Sequence, residues 1–327
     1  MDQKPGNKKL DVSIIIVNWN TAKLLHDCIQ SIYDNTTKLL YEVIVVDNAS
    51  TDGSVEMIKK LFPCVRLIEN EKNLGYAAGV NRGIIQATAR YCLILNSDIL
   101  FCENDLHKIV KFADDNPDAG MFGCKVYQDH HRLQLTCFRF PSLINLMFDS
   151  FFLNRLFPKS RLFNREFMPE WKRDTVKSVD VISGMFMLVR SRAITQVGLM
   201  DEDYFLLCEE TDWCWRFEKA DWKRVFYPYA KVIHLDGGGK SREKANLKMM
   251  VQFRKSMLIY FRKHKSLPEY LIARLLLAVQ AGIGFIGYAI LNILKFFTFR
   301  KRTYEISKIR GFWATFKFCL MGMEPKG

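Results

Sequence analysis

The chain has 327 residues, 49% hydrophobic and 25% charged, a balance that excludes a disordered polymer, a collagen-like fibre and a polytopic membrane protein. Its 48 Lys+Arg and 35 Asp+Glu give a net charge of +13, and residues 241–327 hold all of that excess, with 17 basic against 4 acidic side chains. Residues 1–240 are therefore neutral and offer no basic body to nucleic acid, and the length suits two domains, 1–240 and 241–327.

Val12–Val17 (VSIIIV) is a near-continuous apolar run, as in a strand buried on both faces of a parallel sheet. Thr21–Tyr33 spaces Leu24, Leu25, Cys28, Ile29 and Ile32 along one helix face. A second strand (Val43–Val46), a helix (Ser54–Leu61), a third strand (Val65–Ile68), a helix (Tyr76–Ala89) and a fourth strand (Tyr91–Leu95) follow. This βαβαβαβ order predicts an α/β domain with a mainly parallel, Rossmann-like sheet flanked by helices. Ligands of such sheets sit beyond the carboxyl ends of the strands.

From Phe138 to Asp174 the chain becomes irregular, aromatic and basic, as in a functional loop region. Ordered chain resumes in Val179–Arg190, Asp201–Lys219 and Val225–His234, and Gly237–Gly239 closes the neutral part. Beyond it, Lys244–Lys265 reads as a basic helix carrying Leu247, Val251, Met257, Leu258 and Phe261. Leu275–Leu294 then runs 20 residues without a charge, long enough to cross a hydrocarbon core. Arg262, Lys263 and Lys265 precede it and Arg300, Lys301 and Arg302 follow, so the flanking charge gives no orientation. With Gln280, Asn292 and Lys295 interrupting the run, a membrane span, a helix lying in the interface and a soluble core helix all remain open. Nine cysteines without a CxxC pair, mostly in apolar runs, fit free thiols in a reducing cytoplasm. The polar, basic Met1–Leu10 before a six-residue apolar run predicts no signal peptide.

Five polar clusters begin where strands end. Trp19 follows the first strand, and Asp47 opens DNASTDG after the second. An aromatic ring can stack on a base there and a carboxylate can accept from it, but Asn, Ser, Thr, Asp and Gly are also ordinary turn and cap residues. In NLGYAAGVNRG, Gly75, Gly79 and Gly83 line one helix face. They suit close packing as well as a diphosphate at the helix start. LNSD ends the fourth strand, with Asp98 placed for a divalent cation and a helix cap as the plainer reading. CEETDWCWR gathers Glu209, Glu210 and Asp212, close enough to raise one pKa toward that of a general base, with Asp212–Arg216 spaced for a structural i,i+4 pair. His234, before the glycine turn, is a candidate metal ligand beside Asp98 or a structural residue.

In this order VSIIIVNWNT, VDNASTDGS, NLGYAAGVNRG, LNSD, VDVISGMFMLVR, FLLCEETDWCWR and VIHLDGGG resemble the family 2 inverting glycosyltransferases of GT-A fold, in particular the rhamnosyltransferase-like enzymes of bacterial cell-surface polysaccharide synthesis. The resemblance covers about residues 11–265. It implies a nucleotide-sugar site with Trp19 and Asp47 on the base and with Gly75, Asn81 and Asn96 beside them. It implies Mg2+ or Mn2+ on Asp98 and His234, Glu210 as general base, and Asp180 and Glu209 on the acceptor side. Asn96 stands where the family's D-x-D motif has its first Asp. The implied partners are a nucleotide-diphosphate sugar and a glycan or lipid-linked acceptor, and the basic, apolar tail adds an anionic membrane surface on the cytoplasmic side. A polyisoprenyl-phosphate glycosyltransferase and a catalytically silent sugar-nucleotide or membrane-binding scaffold are the alternatives.

Overall fold

A computed structural model describes residues 9–128, 132–235, 247–297 and 303–321. The glycine turn 237–239 and the basic cluster 300–302 fall outside them. The chain divides into two compact units: Met1–Phe138 with Lys172–Phe205 and Glu209–Gly237, and Arg139–Trp171 with Leu206–Cys208 and Gly238–Gly327. The aromatic, basic stretch after Phe138 therefore belongs with the C-terminal helices, which a single cut after residue 240 does not capture.

In the first unit β1 (Val12–Asn18), β2 (Tyr41–Asp47), β3 (Arg66–Glu69) and β4 (Tyr91–Asn96) form the parallel half of one sheet. α1 (Ala22–Asn35), α2 (Ser54–Leu61) and α3 (Tyr76–Gln86) cross between them, as the apolar periods predict. The remaining strands are β5 (Ile99–Phe101), β6 (Ala119–Tyr127), β7 (Leu133–Gln134), β8 (Cys137–Phe138), β9 (Lys177–Ser178), β10 (Val181–Ile182), β11 (Phe186–Arg190) and β12 (Lys223–His234). The main path runs β3-β2-β1-β4-β11-β6-β12-β5, with β11 antiparallel to both β4 and β6. The helices α4 (Asp105–Asp115), α7 (Ser191–Val197) and α8 (Glu209–Lys219) complete this unit. Ile14, Ile16, Val43, Val45, Leu93 and Leu95 are buried in its core, consistent with strands covered on both faces.

Parallel register decides where the polar clusters meet. Asn18 stands opposite Asp47, and Val17 opposite both Val46 and Asn96, so three strand ends open onto one edge. Antiparallel β5 and β12 place His234 opposite Ile99, immediately beside Asp98.

The second unit contains α5 (Leu143–Ser150) and α6 (Leu153–Leu156), where the sequence suggested only loops, then α9 (Leu247–His264), α10 (Leu267–Phe297) and α11 (Thr303–Met321). Ser142 caps α5 by accepting from the Asn145 N–H at 3.3 Å. α10 packs against α5, α9 and α11.

Candidate active site

The loops after β1 and β2 are laced together. Asn18 Nδ2 donates to Asp47 Oδ2 at 2.7 Å and to Ser50 Oγ at 3.0 Å, and the Ser50 N–H donates to Asp47 Oδ1 at 2.8 Å. Asn20, at φ 55°, takes the Thr51 N–H on its side-chain oxygen at 2.7 Å. Asp47 is buried and both its oxygens serve this turn, while a carboxylate keeps further lone pairs for a ligand. Trp19 projects from the same turn 56% exposed, its ring open for stacking.

The glycine stripe of α3 is a packing device. A Cβ at Gly79 would stand 2.9 Å from Val17 Cγ1, and one at Gly83 would stand 2.3 Å from Ile15 Cγ2, so α3 lies directly on β1. Gly75 has φ 89°, its N–H donates to Asn73 Oδ1, and the next amide, Tyr76 N–H, donates to the Phe205 carbonyl at 2.7 Å. Two amides at this helix start are thus bonded within the protein. Asn81 is likewise engaged: it is buried, takes the Met200 N–H at 2.9 Å, and donates to the Met200 carbonyl and to Glu202, which braces α3.

Asp98 and His234, 136 positions apart in sequence, come into contact: Nε2 lies 2.9 Å from Oδ2, both largely shielded from solvent. The other ring nitrogen, Nδ1, lies 2.9 Å from Gln134 Oε1. Such a partner fixes ring orientation and leaves Nε2 for a metal, the usual arrangement behind a ligating histidine. Two donors on adjacent positions of one ion, each about 2.1 Å from it, stand about 3 Å apart, so this pair fits a shared hard cation. No cluster of three His, Cys, Asp or Glu side chains that could hold a metal occurs among the described residues. Asn96, at the D-x-D position, accepts at Oδ1 from the Tyr76 hydroxyl at 3.1 Å, so Tyr76 holds it in place.

Tyr76 is the residue that sequence reasoning missed. Its hydroxyl donates also toward the Gly184 carbonyl at 3.0 Å. Burial first, and then the negative charges of Glu209, Glu210 and Asp98, push its pKa well above the ordinary phenol value. Its signal in the sequence was a polar aromatic in the first turn of a glycine-faced helix that follows a strand. Gln134, on a two-residue strand, carried no signal.

α8 presents the acids. The chain enters it through two consecutive left-handed residues, Leu207 (φ 69°) and Cys208 (φ 67°), strain that non-glycine residues tolerate only where surroundings enforce it. Glu209 is buried, its Oε2 has no hydrogen-bond partner among the described residues, and burial followed by Glu210 raises its pKa well above the carboxylate range. Glu210 is the half-exposed member of the pair, and a Cβ added at Gly184 would stand 3.9 Å from its own Cβ. Asp212 is bonded to Arg216 at 2.8 Å, the i,i+4 structural pair that the spacing predicted. Asp180 is half-buried before β10, and its carbonyl accepts from Arg224 at 3.2 Å.

A Rossmann-like sheet with Asp98 and His234 paired at its strand ends, and an acid pair opening α8, fits a GT-A nucleotide-sugar transferase fold. The chain superposes on a mannosyltransferase from Pyrobaculum calidifontis, solved with GDP-Man and Mn2+, with a TM-score of 0.57 at 16% identity over 97% of this chain and 89% of that one. Residues 13–190, more than half of the chain, match the glycosyl transferase family 2 profile. The chain belongs to glycosyltransferase family 2. It is 28% identical to the N-acetylglucosaminyl-diphospho-decaprenol L-rhamnosyltransferase of Mycobacterium tuberculosis over 62% of this chain and 69% of that protein. It is 26% identical to the rhamnosyltransferase WbbL of Escherichia coli over 68% of this chain and 83% of that one.

Proposed function

We propose that the protein is a metal-dependent, inverting hexosyltransferase. It moves rhamnose or another hexose from a nucleotide diphosphate to a hydroxyl of a glycan or lipid-linked glycan, in cell-surface polysaccharide synthesis at the cytoplasmic face of a membrane. The observation that carries this reading is the Asp98–His234 pair just beyond Asn96, whose side chain bonds to the Tyr76 hydroxyl, with Glu210 close to Gly184, the other partner of that hydroxyl. Mg2+ or Mn2+ held by Asp98 and His234 would offset charge on the departing diphosphate. Trp19 would stack on the base, with Asp47 fixing the loop that carries it and accepting from the base edge.

Glu210 takes the proton of the acceptor hydroxyl, the freed oxygen bonds to the anomeric carbon, and the bond from that carbon to the diphosphate oxygen breaks. The nucleoside diphosphate leaves with the electron pair and the sugar emerges with inverted configuration. Burial first and Glu210 second push the Glu209 pKa well up, which favours its neutral form beside the base. Its carboxyl positions Glu210 or the acceptor, and Asp180 lies on the acceptor side. The relatives' names support a lipid-linked acceptor, since one of them acts on a diphospho-decaprenol carrier.

The test is a panel of UDP-, GDP- and dTDP-sugars with Mg2+ or Mn2+, reading nucleotide release and the anomeric configuration of the product by NMR. Release with one donor class and an inverted product is expected. Retained configuration would overturn the displacement, and silence with every donor would favour a binding scaffold.

A further inference from the structure

Helix α10 is turned inside out relative to the amphipathic helix of a soluble protein. Leu271, Leu275, Ile283, Ile286, Ile290 and Leu294 are all exposed, and at 100° per residue they spread over about 140° of its circumference. Leu275 and Ile286 are each 59% exposed. The opposite face is the buried one, and apart from Leu277 it is made of small and polar residues: Ala273, Ala281, Gly284 and Gln280. Gln280 donates to the Asp149 carboxylate and accepts from Arg254 at 3.0 Å. A contiguous exposed apolar stripe of this length needs a partner.

The charge of the chain names that partner. Residues 241–327 carry the 17 Lys+Arg and 4 Asp+Glu, and basic triplets flank the stripe at 262–265 and 300–302. That pattern complements an anionic bilayer.

The neighbours of α10 decide how it meets the bilayer. α11 packs antiparallel along it: Arg274 donates to the carbonyls of Cys319 and Leu320, a Cβ at Gly284 would strike the Phe312 ring, and Tyr288 stacks on Phe312 at 5.6 Å. A span through Leu275–Leu294 would carry α11 into the hydrocarbon with Lys308, Arg310 and Lys317, and would also immerse Asp149 and Arg254 at Gln280. Charges at mid-bilayer depth are strongly disfavoured. We infer that α10 lies in the membrane interface as a monotopic anchor, its Leu271–Leu294 stripe facing the acyl chains of an anionic leaflet and α11 remaining on the aqueous side.

This inference rests on the membrane-seated reading above, and two measurements on the full-length protein separate the two. In flotation with phosphatidylcholine vesicles containing 30% phosphatidylglycerol, the protein is expected to float and to bind pure phosphatidylcholine at least tenfold less. Leu275→Glu and Ile286→Glu, each at a position 59% exposed, should each lower partition at least tenfold with unchanged melting. Failure to float defeats the membrane reading itself. A self-association abolished by the two variants, with vesicle binding intact, would instead make the stripe an interface between copies. The second measurement places an epitope tag after Gly327 in sealed inside-out membrane vesicles from a bacterial host. Added protease should remove the tag together with the catalytic unit. A protected tag beside a digested catalytic unit shows a span and overturns the monotopic assignment alone.

Discussion

Gly75→Ala puts a number on the close approach between α3 and the segment leading to the acid pair. Gly75 sits at φ 89°, ψ 175°, a region essentially reserved for glycine, where a side chain costs about 1–3 kcal/mol. Its Cβ would stand 2.4 Å from the Phe205 carbonyl oxygen and 2.8 Å from the Phe205 ring, so the two backbones must move apart by roughly half an ångström. The Tyr76 N–H to Phe205 carbonyl bond joins the same two segments and is strained or lost, worth about another 1 kcal/mol. The sum is about 2–4 kcal/mol. Gly53→Ala supplies the control: Gly53 is left-handed at φ 85°, but nothing lies within 4 Å of a Cβ there, so only the conformational cost of about 1–2 kcal/mol applies. Urea denaturation at constant m-value measures both. If Gly75→Ala were no more destabilising than Gly53→Ala, the close-contact reasoning would fail.

Tyr76→Phe removes a hydroxyl that serves both Asn96 and Gly184, and should cost about 1–3 kcal/mol in denaturation while lowering kcat more than it raises donor KM. Asn81→Ala strips three bonds to the Met200–Glu202 segment, so about 2–4 kcal/mol should be lost with donor KM unchanged; a raised KM at full stability would return Asn81 to the ligand site. Glu166, half-buried beside Asp149, has its pKa pushed up to about 7, by burial first and Asp149 second. The folded state therefore binds this proton more tightly than the unfolded state, and stability falls as pH rises from about 4.5 to about 7 and is level above. Glu166→Gln should abolish that fall and gain roughly 1–2 kcal/mol at pH 8, after allowing for solvent screening. Melting curves at pH 5 and pH 8 decide it, and a fall that persists in the variant points to another group.

The parallel half of the sheet was legible because fully buried strands and one-faced helices write their periods into the sequence. VSIIIV, VIVV and YCLIL lie within β1, β2 and β4, and Ser54–Leu61 coincides with α2. The antiparallel insertion of β11 between β4 and β6 was not legible, because pairing between Leu188 and both Leu93 and Phe122 is a non-local choice with no periodic trace. β6 itself, AGMFGCKVY, hides behind two glycines that weaken a strand signal. Glycines in α3 admitted two readings until Val17 and Ile15 were seen beneath them. Asp98 and His234 carried little weight apart, and their meeting depends on an antiparallel register that only the fold supplies. The inverted polarity of α10 was masked because alanine, leucine and isoleucine all count as apolar in a hydropathy run, although only some of them face outward.

The central claim is that Glu210 removes the acceptor's proton at a site where nucleotide binding depends on other residues. Glu210→Gln keeps the shape and removes the base, so nucleotide affinity by calorimetry should match the parent while transfer to acceptor falls about 10²–10⁴-fold. Transfer within tenfold of the parent at equal nucleotide affinity would contradict the account.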